Sequence, residues 1–307
     1  MGRQHVHVGP ASGRVDSLTE AVVSGGAELS GPEEAEVLVW ADPARPHELG
    51  GYLDRMGQIK WVALPYAGIE PYIDTIRSRP ELLWTCARDV YSRPVAEHAI
   101  ALATAGLRNI VEYSQQTAWT SQRGTMLVDG RLTILGGGGI ARAIISLLQG
   151  WNCDITVVRR SPEALEGASR VLGPDQAVTA VQGADAVILA LPLTEETRHI
   201  VDRRVLQAME PHAWLVNVAR GGVIDTDALV QALIDGVIGG AALDVTEPEP
   251  LPEGHPLWSI PNVVITPHVG NTPEMGVPLL AGFIERNVAR WMEGGDVEGI
   301  IDPRYGY

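Results

Sequence analysis

Short apolar runs recur along the chain, and between them apolar residues are spaced as on one face of a helix. The runs that predict strands cover residues 5–8, 37–40, 61–64, 132–135, 155–158, 186–191, 214–218, 240–245 and 263–266. Their nearly continuous apolar character is typical of strands buried on both faces of a sheet. Helical spacing is clear over residues 95–107 and 226–234. Alternating strands and helices indicate βαβ units, so the pattern predicts an α/β fold with parallel sheets.

The order of these elements predicts two domains. The chain has 307 residues and 45% apolar content, which suits roughly two domains of ordinary size. A glycine-rich turn follows the first three predicted strands, so a first domain is expected to precede the domain that contains this turn. The amphipathic segment 279–292 follows the last predicted strand and is expected to return to that first domain. We therefore predict a first domain of residues 1–94 plus 273–307 and a second of residues 95–272.

Composition and charge argue against several classes of partner. The 38 acidic and 23 basic residues give a formal charge of −15, which disfavours nucleic acid and anionic membranes as partners. No run approaches the ~18 apolar residues of a membrane span, and the start MGRQHVHVGP lacks the order of a signal peptide, so a cytoplasmic protein is expected. Cys86 and Cys153 are interpreted as core residues, and no metal site is predicted. Lys60 is the only lysine and lies outside any P-loop motif.

The segment LTILGGGGIARAIISLL, residues 132–148, predicts a dinucleotide-binding turn. It combines a strand, a glycine turn and a helix, and Gly136, Gly138 and Ala141 fill a G-x-G-x-x-A pattern. The first glycine permits the tight turn, the second lets the backbone approach a pyrophosphate, and the alanine keeps helix and strand close. The start of the helix then offers N–H groups to the phosphates.

The residues after the next predicted strand bear on which nicotinamide cofactor binds. An NAD-specific site has an acidic residue about 20 positions after the glycine turn, where it binds the adenosine ribose. This chain has Arg159, Arg160 and Ser161 there. Guanidinium groups and a hydroxyl suit a ribose 2′-phosphate. We therefore predict that NADP(H) is preferred and that NAD(H) is the second choice, against the alternative that these are solvated surface arginines.

Three further segments begin in or at the carboxyl ends of predicted strands, where α/β sheets bind ligands. They read NVARGGVIDTDAL (217–229), AALDVTEPEPLP (241–252) and ITPHVG (265–270). Together with VAEHAIALA (95–103) and the glycine turn, they stand in the order typical of the D-isomer-specific 2-hydroxyacid dehydrogenase family. The chain resembles this family from about residue 95 to about residue 272, and most closely its glyoxylate/hydroxypyruvate reductase branch. The resemblance weakens in the first 90 residues.

The resemblance implies that Arg220, Glu249 and His268 are the catalytic set of an oxidoreductase that moves a hydride between NAD(P)H and a small 2-oxo or D-2-hydroxy acid. The chemistry of each residue suits its role. An arginine fork can bind the substrate carboxylate and polarise the carbonyl group. A histidine can protonate the alkoxide during reduction and act as the base in oxidation. A carboxylate beside it favours its charged form and fixes the ring; the family's spacing from Asp244 selects Glu249 rather than Glu247.

Further positions at turns and strand ends are expected to bind the cofactor. Asp244 resembles the residue that contacts the nicotinamide carboxamide. The other expected cofactor contacts are Gly139, Ile140, Leu191, Pro192, Thr197, Ala219 and Gly270. The remaining histidines are interpreted as packing or surface residues, and this includes His98 within the VAEHAIALA motif.

The segment PYAGIEPYI lies where the family has a glycine-rich loop whose N–H groups bind the substrate carboxylate. Ala67 and Gly68 fit that pattern and are expected to bind substrate together with Arg220 and His268. Tyr66 replaces the commoner glycine, which predicts a narrower or reshaped pocket.

The resemblance also implies an architecture and an assembly. It implies two Rossmann-like domains with parallel sheets, namely a flavodoxin-like substrate domain and a dinucleotide-binding domain, with a cleft between them. Hinges are expected near Pro94 and Pro273, and closure is expected to complete the site. The family further implies a homodimer held through the cofactor domain, with Trp119 near the interface.

Three alternative functions stay open. A formate-dehydrogenase-like protein would lack the acid beside the histidine, so Glu249 argues against it. A cofactor-sensing, catalytically weak binding protein, like the dehydrogenase-like transcriptional corepressors, would keep the same catalytic set. A degenerate paralogue with a reshaped substrate loop is suggested by Tyr66.

In the segment ARDVYSRPVAEH, Arg88 or Arg93 could bind a second anionic group of the substrate, or both could be solvated.

Overall fold

The computed structural model describes residues 5–302. Residues 1–4 and 303–307, the outer ends of the predicted first domain, lie outside the described residues, as does part of the segment on which the absence of a signal peptide was predicted. The backbone forms two compact units. The first contains the described residues up to Tyr91 and from Thr272 onward, and the second is Ser92–Asn271. The sequence prediction placed the two borders after residues 94 and 272.

Strands and helices alternate along both units. The strands are β1 (His5–Gly9), β2 (Glu28–Leu29), β3 (Val37–Trp40), β4 (Trp61–Leu64), β5 (Leu83–Cys86), β6 (Arg131–Leu135), β7 (Asp154–Val158), β8 (Arg170–Leu172), β9 (Ala186–Leu189), β10 (Trp214–Asn217), β11 (Gly240–Leu243) and β12 (Val263–Ile265). The helices are α1 (Val15–Ser24), α2 (Leu49–Leu53), α3 (Ile73–Ser78), α4 (Ser92–Leu107), α5 (Ile110–Ser114), α6 (Gly139–Leu147), α7 (Ala177–Ala180), α8 (Arg203–Ala208), α9 (Thr226–Ile234) and α10 (Pro273–Met292).

The first unit is a five-stranded parallel sheet in the order β2-β1-β3-β4-β5. This is the flavodoxin-like order of a doubly wound sheet, in which ligands bind beyond the carboxyl ends of the strands. The fully buried strands β3 and β4 lie in its centre. Buried side chains of β1, α1 and α10, among them Val6, Leu18 and Phe283, share one apolar core. The first unit is therefore discontinuous in sequence, because its last helix completes a core begun by its first strand.

The second unit is a seven-stranded parallel sheet in the order β12-β11-β10-β9-β6-β7-β8. The chain runs outward from β6 to β8 in one direction and then from β9 to β12 in the other. The switch point between β6 and β9 is where a Rossmann sheet binds its dinucleotide. Alternate residues of β9 face two different cores, since Val187 and Leu189 pack on one face while Ala186 and Ile188 pack on the other.

These two sheets confirm the predicted fold class of two Rossmann-like α/β units. Most predicted strands match the observed ones to within one or two residues at each end, because burial on both faces makes their sequences continuously apolar. Helix α9 begins where Asp225 caps it by accepting a hydrogen bond from the N–H of Ala228, 3.0 Å away. The sequence prediction omitted β2, β5 and β8. Within residues 5–302, no helix combines the length and the apolar character that a membrane span needs.

Candidate active site

The glycine turn after β6 passes close to the residue that follows β9. Gly136 has a φ of +119°, and a Cβ atom at this position would lie 2.1 Å from the backbone oxygen of Ala190. Only glycine suits a turn of this conformation at this distance. A Cβ atom at Gly138 would instead meet nothing within 4 Å, so the backbone faces open space there.

Helix α6 starts directly after this turn. Gly139 and Ile140 form its first positions, where the N–H groups have no acceptor within a helix. Ala141 is fully buried, which lets the helix lie close to the sheet. An open turn followed by a helix N-terminus fits a dinucleotide pyrophosphate, because the backbone N–H groups and the helix dipole both favour an anion.

Arg159, Arg160 and Ser161 follow β7, the neighbour of β6 in the sheet. The aliphatic stem of Arg159 lies over the glycine turn, since a Cβ atom on Gly137 would be 2.8 Å from Cδ of Arg159 and 2.9 Å from its Cβ. Gly137 therefore makes room for the arginine, a role that the G-x-G-x-x-A pattern does not reveal. Arg160 and Ser161 are exposed beside it.

The loop after β9 carries three of the predicted cofactor positions. Leu191 is buried and Pro192 is exposed. The hydroxyl of Thr197 donates to the backbone oxygen of Pro192 at 2.7 Å, and it also lies 3.1 Å from the hydroxyl of Thr194. These bonds hold the loop at the carboxyl end of β9, next to the glycine turn in the strand order.

Arg220 lies on a loop whose backbone is hydrogen-bonded to the buried side chain of Asn217. Asn217, the fully buried last residue of β10, donates from Nδ2 to the backbone oxygen of Arg220 at 2.9 Å and accepts from the N–H of Ala219 at 3.0 Å. Nη1 of Arg220 donates to the backbone oxygen of Ala219 at 2.8 Å. Sequence reasoning missed Asn217; the signal was a polar residue at the end of an otherwise apolar strand.

His268 and Glu249 are brought together although they lie in different loops. Nδ1 of His268 is 2.7 Å from Oε1 of Glu249. The side chains are 54% and 43% exposed, so the pair orients the ring more than it stabilises the fold. Because Nδ1 is turned to the carboxylate, Nε2 is the ring nitrogen that can meet a substrate.

The neighbouring carboxylate, Glu247, has other partners. Its Oε1 lies 2.9 Å from Nη1 of Arg198, and its Oε2 lies 3.6 Å from Nε2 of His199. The hydrogen bond from Arg198 and its positive charge, with that of His199, hold the pKa of Glu247 below its ordinary value in spite of partial burial. The two glutamates of the EPEP segment are therefore distinguished by their contacts.

Asp244, which directly follows β11, is a buried carboxylate with several donors. Oδ1 accepts from the hydroxyl of Thr266 at 2.5 Å and from the N–H of Val269 at 2.9 Å, and Oδ2 accepts from the N–H of Gly270 at 2.9 Å. Burial alone raises the pKa of Asp244, but hydrogen bonds from His98, Thr266 and the two amides outweigh it and lower the pKa to about 2. Asp244 is thus ionised at neutral pH.

His98 is one of these donors, and its interpretation as a packing residue was wrong. Its Nε2 lies 3.2 Å from Oδ1 of Asp244 and 3.1 Å from the hydroxyl of Thr266. The partners are 146 and 168 positions away in the chain, so local sequence carries no sign of the contact. In sequence, a histidine beside small apolar residues of a helix is typical of a core position. Only the fold shows that His98 contacts the carboxylate of Asp244.

The predicted substrate loop, which contains Ala67 and Gly68, belongs to the first unit and follows β4. Ala67 is exposed and Gly68 is half-buried. The neighbouring Tyr66 accepts a 2.5 Å hydrogen bond from Nη2 of Arg14, whose guanidinium also lies 5.0 Å from the centre of the ring. Tyr91 meets the same ring edge-on, with centroids 5.7 Å apart. Tyr66 is therefore held in place by two neighbours.

Three positions singled out in the sequence are exposed. Arg88 lies in the turn after β5, and Arg93 lies in the first turn of α4. Trp119 is 101% exposed in this single chain, on a segment without helix or strand that follows α5. Across the described part of the chain, no group of three or more histidine, cysteine, aspartate or glutamate side chains could hold a metal ion.

The chain is similar to known proteins of one family. The family model described as "D-isomer specific 2-hydroxyacid dehydrogenase, NAD binding domain" matches residues 99–270. An uncharacterized protein in the proB 3′ region of Corynebacterium melassecola is 36% identical over 298 residues, which cover 95% of this chain and 97% of that protein. Glyoxylate/hydroxypyruvate reductase A of Serratia proteamaculans is 28% identical over 281 residues, covering 88% of this chain and 87% of that protein.

A solved structure extends the likeness to the complete fold. The D-isomer specific 2-hydroxyacid dehydrogenase of Xanthobacter autotrophicus Py2, crystallised with NADPH and MES, superimposes with a TM-score of 0.85 at 27% identity and covers all of both chains. Fold, glycine turn and comparisons together define an oxidoreductase with an NAD-binding domain. This chain belongs to the D-isomer-specific 2-hydroxyacid dehydrogenase family, and it resembles the glyoxylate/hydroxypyruvate reductase branch, as the motifs predicted.

Proposed function

We propose that the protein is a reductase of small 2-oxo acids that prefers NADPH. The observation that carries the proposal is the 2.7 Å contact between Nδ1 of His268 and Glu249 in the unit that contains the NAD-binding fold. A histidine oriented by a carboxylate is the arrangement that proton transfer to an alkoxide needs. The likeness to glyoxylate/hydroxypyruvate reductase A of Serratia proteamaculans supports the reaction class.

The glycine turn and its neighbours are the residues that would hold the cofactor. Gly138, Gly139 and Ile140 offer backbone N–H groups at the start of α6. Bound NAD(P)H supplies the hydride that is added to the substrate's carbonyl carbon. Leu191, Pro192, Thr197, Ala219, Asp244 and Gly270 stand at or after the ends of β9 to β12 and are the further proposed contacts.

His268 supplies the proton in this reaction. When the carbonyl carbon is reduced, its oxygen gains negative charge, and Nε2–H of His268 transfers its proton to that oxygen. Glu249 keeps Nδ1 occupied, which fixes the ring and balances the charge of the imidazolium. In the oxidative direction, Nε2 removes the same proton from the hydroxyl group.

Arg220 holds the substrate. Its planar guanidinium can form paired charge-assisted hydrogen bonds with the carboxylate of a 2-oxo acid and can polarise the adjacent carbonyl oxygen. Asn217 fixes the backbone on either side of this arginine, so the side chain starts from a rigid base. The amides of Ala67 and Gly68 are the proposed second partners of the carboxylate.

The preference for NADP(H) rests on the arginines after β7. Arg159 lies over the glycine turn, where the adenosine end of a dinucleotide passes the first βα unit of a Rossmann fold. Two guanidinium groups with Ser161 supply charge and donors for a 2′-phosphate. No acidic side chain stands at these three positions to bind a free ribose hydroxyl.

The proposed substrates are glyoxylate, hydroxypyruvate or a related 2-oxo acid. The ring of Tyr66, held beside Ala67 by Arg14 and Tyr91, occupies space that a glycine would leave open. A small substrate therefore fits better than a long one. We further propose a cytoplasmic homodimer, in which the exposed Trp119 and Met126 are covered by the second copy.

The test is the oxidation of NADPH and NADH, followed by absorbance, with glyoxylate, hydroxypyruvate, pyruvate, longer 2-oxo acids and 3-phosphohydroxypyruvate. Turnover with NADPH on one of the small acids would support both the reaction class and the cofactor. Turnover on 3-phosphohydroxypyruvate alone would point instead to an arginine that binds a second anion. Tight NADPH binding without turnover on any acid would favour the cofactor-sensing alternative.

A further inference from the structure

His98 connects the first helix of the second unit to the loop that carries His268. Its side chain, on α4, is 21% exposed and bonds to Asp244 and Thr266 through Nε2. The backbone oxygen of Asp244 in turn accepts from the N–H of His268 at 2.9 Å. One buried aspartate therefore joins the helix to the candidate catalytic histidine.

The carboxylate of Asp244 continues this connection. It accepts the N–H groups of Val269 and Gly270, the two residues after His268. His268 itself has a φ of +54°, a left-handed conformation that costs free energy for a residue with a side chain. Such a conformation persists only where surrounding bonds enforce it, and three backbone N–H groups bonded to Asp244 provide that enforcement.

The direction of the hydrogen bond follows from the partners of Nε2. The ionised carboxylate of Asp244 can only accept, and the hydroxyl proton of Thr266 is directed to that same carboxylate. Nε2 of His98 must therefore carry a hydrogen, which it shares between the two oxygens. Hydrogen bonds to a buried charge are among the stronger ones in proteins.

We propose that His98 is a positioning residue for His268. By donating from Nε2, it holds the Asp244 carboxylate in the orientation that binds the Val269 and Gly270 amides, and this fixes the loop on which His268 stands. The consequence for catalysis rests on the proposed role of His268, whereas the consequence for the loop does not.

The experiment compares three variants with the wild type. His98→Leu removes the donor, and His98→Gln keeps an N–H near the position of Nε2. His212→Leu is the matched control, because Nε2 of His212 also bonds to an aspartate of the same unit, Asp185, at 2.8 Å. Hydrogen–deuterium exchange of a peptide spanning residues 266–271, the melting temperature, NADPH affinity and kcat are measured for each protein.

The expected result is a selective effect of the leucine variant. Exchange of the 266–271 peptide should rise about fivefold or more, since the amides lose a fixed acceptor. The kcat should fall about tenfold, because the histidine is displaced from its position, and the melting temperature should fall by a few degrees, because the buried carboxylate of Asp244 loses a donor. In His98→Gln, the exchange of the 266–271 peptide and the kcat should lie close to the wild-type values. His212→Leu should match the wild type in both.

The other outcomes are equally decisive. Unchanged exchange in His98→Leu, or equal damage in the leucine and glutamine variants, would overturn the positioning role. Faster exchange with an unchanged kcat would overturn the link to catalysis. Should His98→Leu not fold, His98→Asn takes its place, since its amide is too short to reach the position of Nε2. The proposed function has its own test: it is wrong if His268→Asn keeps its turnover. In that case, the exchange measurement still shows whether His98 positions the loop.

Discussion

Glu247 and Glu249 are two positions apart, yet their carboxylates bind different partners. Oε1 of Glu249 lies 2.7 Å from the ring of His268, whereas Oε1 of Glu247 lies 2.9 Å from the guanidinium of Arg198. The chain thus offers two acidic residues of the same type in one loop, only one of which contacts the candidate acid. This makes each the natural control for the other.

Glu249→Gln should lower kcat by about tenfold to a hundredfold, because the ring of His268 loses its charged partner and its fixed orientation. Glu247→Gln should keep kcat within about twofold. The melting temperature should change little in the first variant, since the pair is about half exposed. Steady-state kinetics with NADPH and the preferred acid measure both; equal losses would remove Glu249 from its proposed role.

His268→Asn should lower kcat by two to four orders of magnitude, the usual contribution of a general acid, while NADPH affinity stays nearly unchanged. The affinity follows from cofactor fluorescence, and the turnover follows from single-turnover kinetics. Retained turnover in this variant would contradict the assignment, and loss of NADPH binding would assign the histidine to the cofactor site.

The double variant Arg159→Ala/Arg160→Ala should weaken NADPH by about tenfold to a hundredfold, because a hydrogen bond to a charged group contributes about 1.5–3 kcal/mol. NADH affinity should change by less than about threefold. Arg203→Ala/Arg204→Ala, which removes two exposed arginines of α8, is the control for net charge. Equal losses for the two cofactors would refute the phosphate role.

The buried Asp244 predicts a specific acid sensitivity. Its pKa of about 2 lies below the ordinary value of 3.8, so the ionised form stabilises the fold, fully above pH 4 and progressively less as the pH falls towards 2. The shift corresponds to about 2 kcal/mol, of which about 1 kcal/mol is lost at pH 3. Residue 244 does not titrate in Asp244→Asn. The difference in unfolding free energy between the wild type and this variant should therefore be about 1 kcal/mol smaller at pH 3 than at pH 6.

Urea unfolding at pH 6, 4 and 3 measures that difference. Asp185→Asn serves as the control, because its carboxylate contacts the exposed His212 at the amino end of the same sheet. A pH-independent difference between the wild type and Asp244→Asn would contradict the depressed pKa.

Tyr66→Gly should raise kcat/KM for longer 2-oxo acids about tenfold relative to glyoxylate, since space for even one methylene group is worth that much in a fitted pocket. Tyr66→Phe removes only the 2.5 Å hydrogen bond from Arg14 and keeps the ring, so it should leave the substrate preference unchanged. A competition assay with paired acids gives the ratio directly. Similar preferences in all three proteins would place the ring away from the substrate.

The sequence was sufficient for the elements that are buried on both sides. Strands β3 and β4 were predicted with their observed limits, because a short run of four apolar residues between polar segments is typical of a buried strand. Strand β5 was missed where the buried Thr85 interrupts the run, and its hydroxyl is in fact satisfied by Nε1 of Trp61 at 2.9 Å. Strand β2 has only two residues, and each of β2 and β8 begins with a charged residue, so neither leaves an apolar run.

The candidate site likewise contains some residues that the sequence predicts and others that it does not. The fingerprint glycines and the residues at strand ends are visible because one strand and one turn determine where they stand. The residues that hold these site residues in place cannot be recognised from the sequence, because their roles depend on partners far away in the chain. Gly137 acquires its role only when β7 places Arg159 over it, and His98 acquires its role only when β11 brings Asp244 to α4.

The packing of α10 against β1 and α1 has a consequence for synthesis. Val6 and Leu18 leave the ribosome before residues 92–271, but their core lacks Phe283 and Ile284 until those residues have emerged as well. The second unit, by contrast, has all of its strands once residue 271 is out. The second unit can therefore fold first, while Val6 and Leu18 keep their apolar surface uncovered until α10 has been translated.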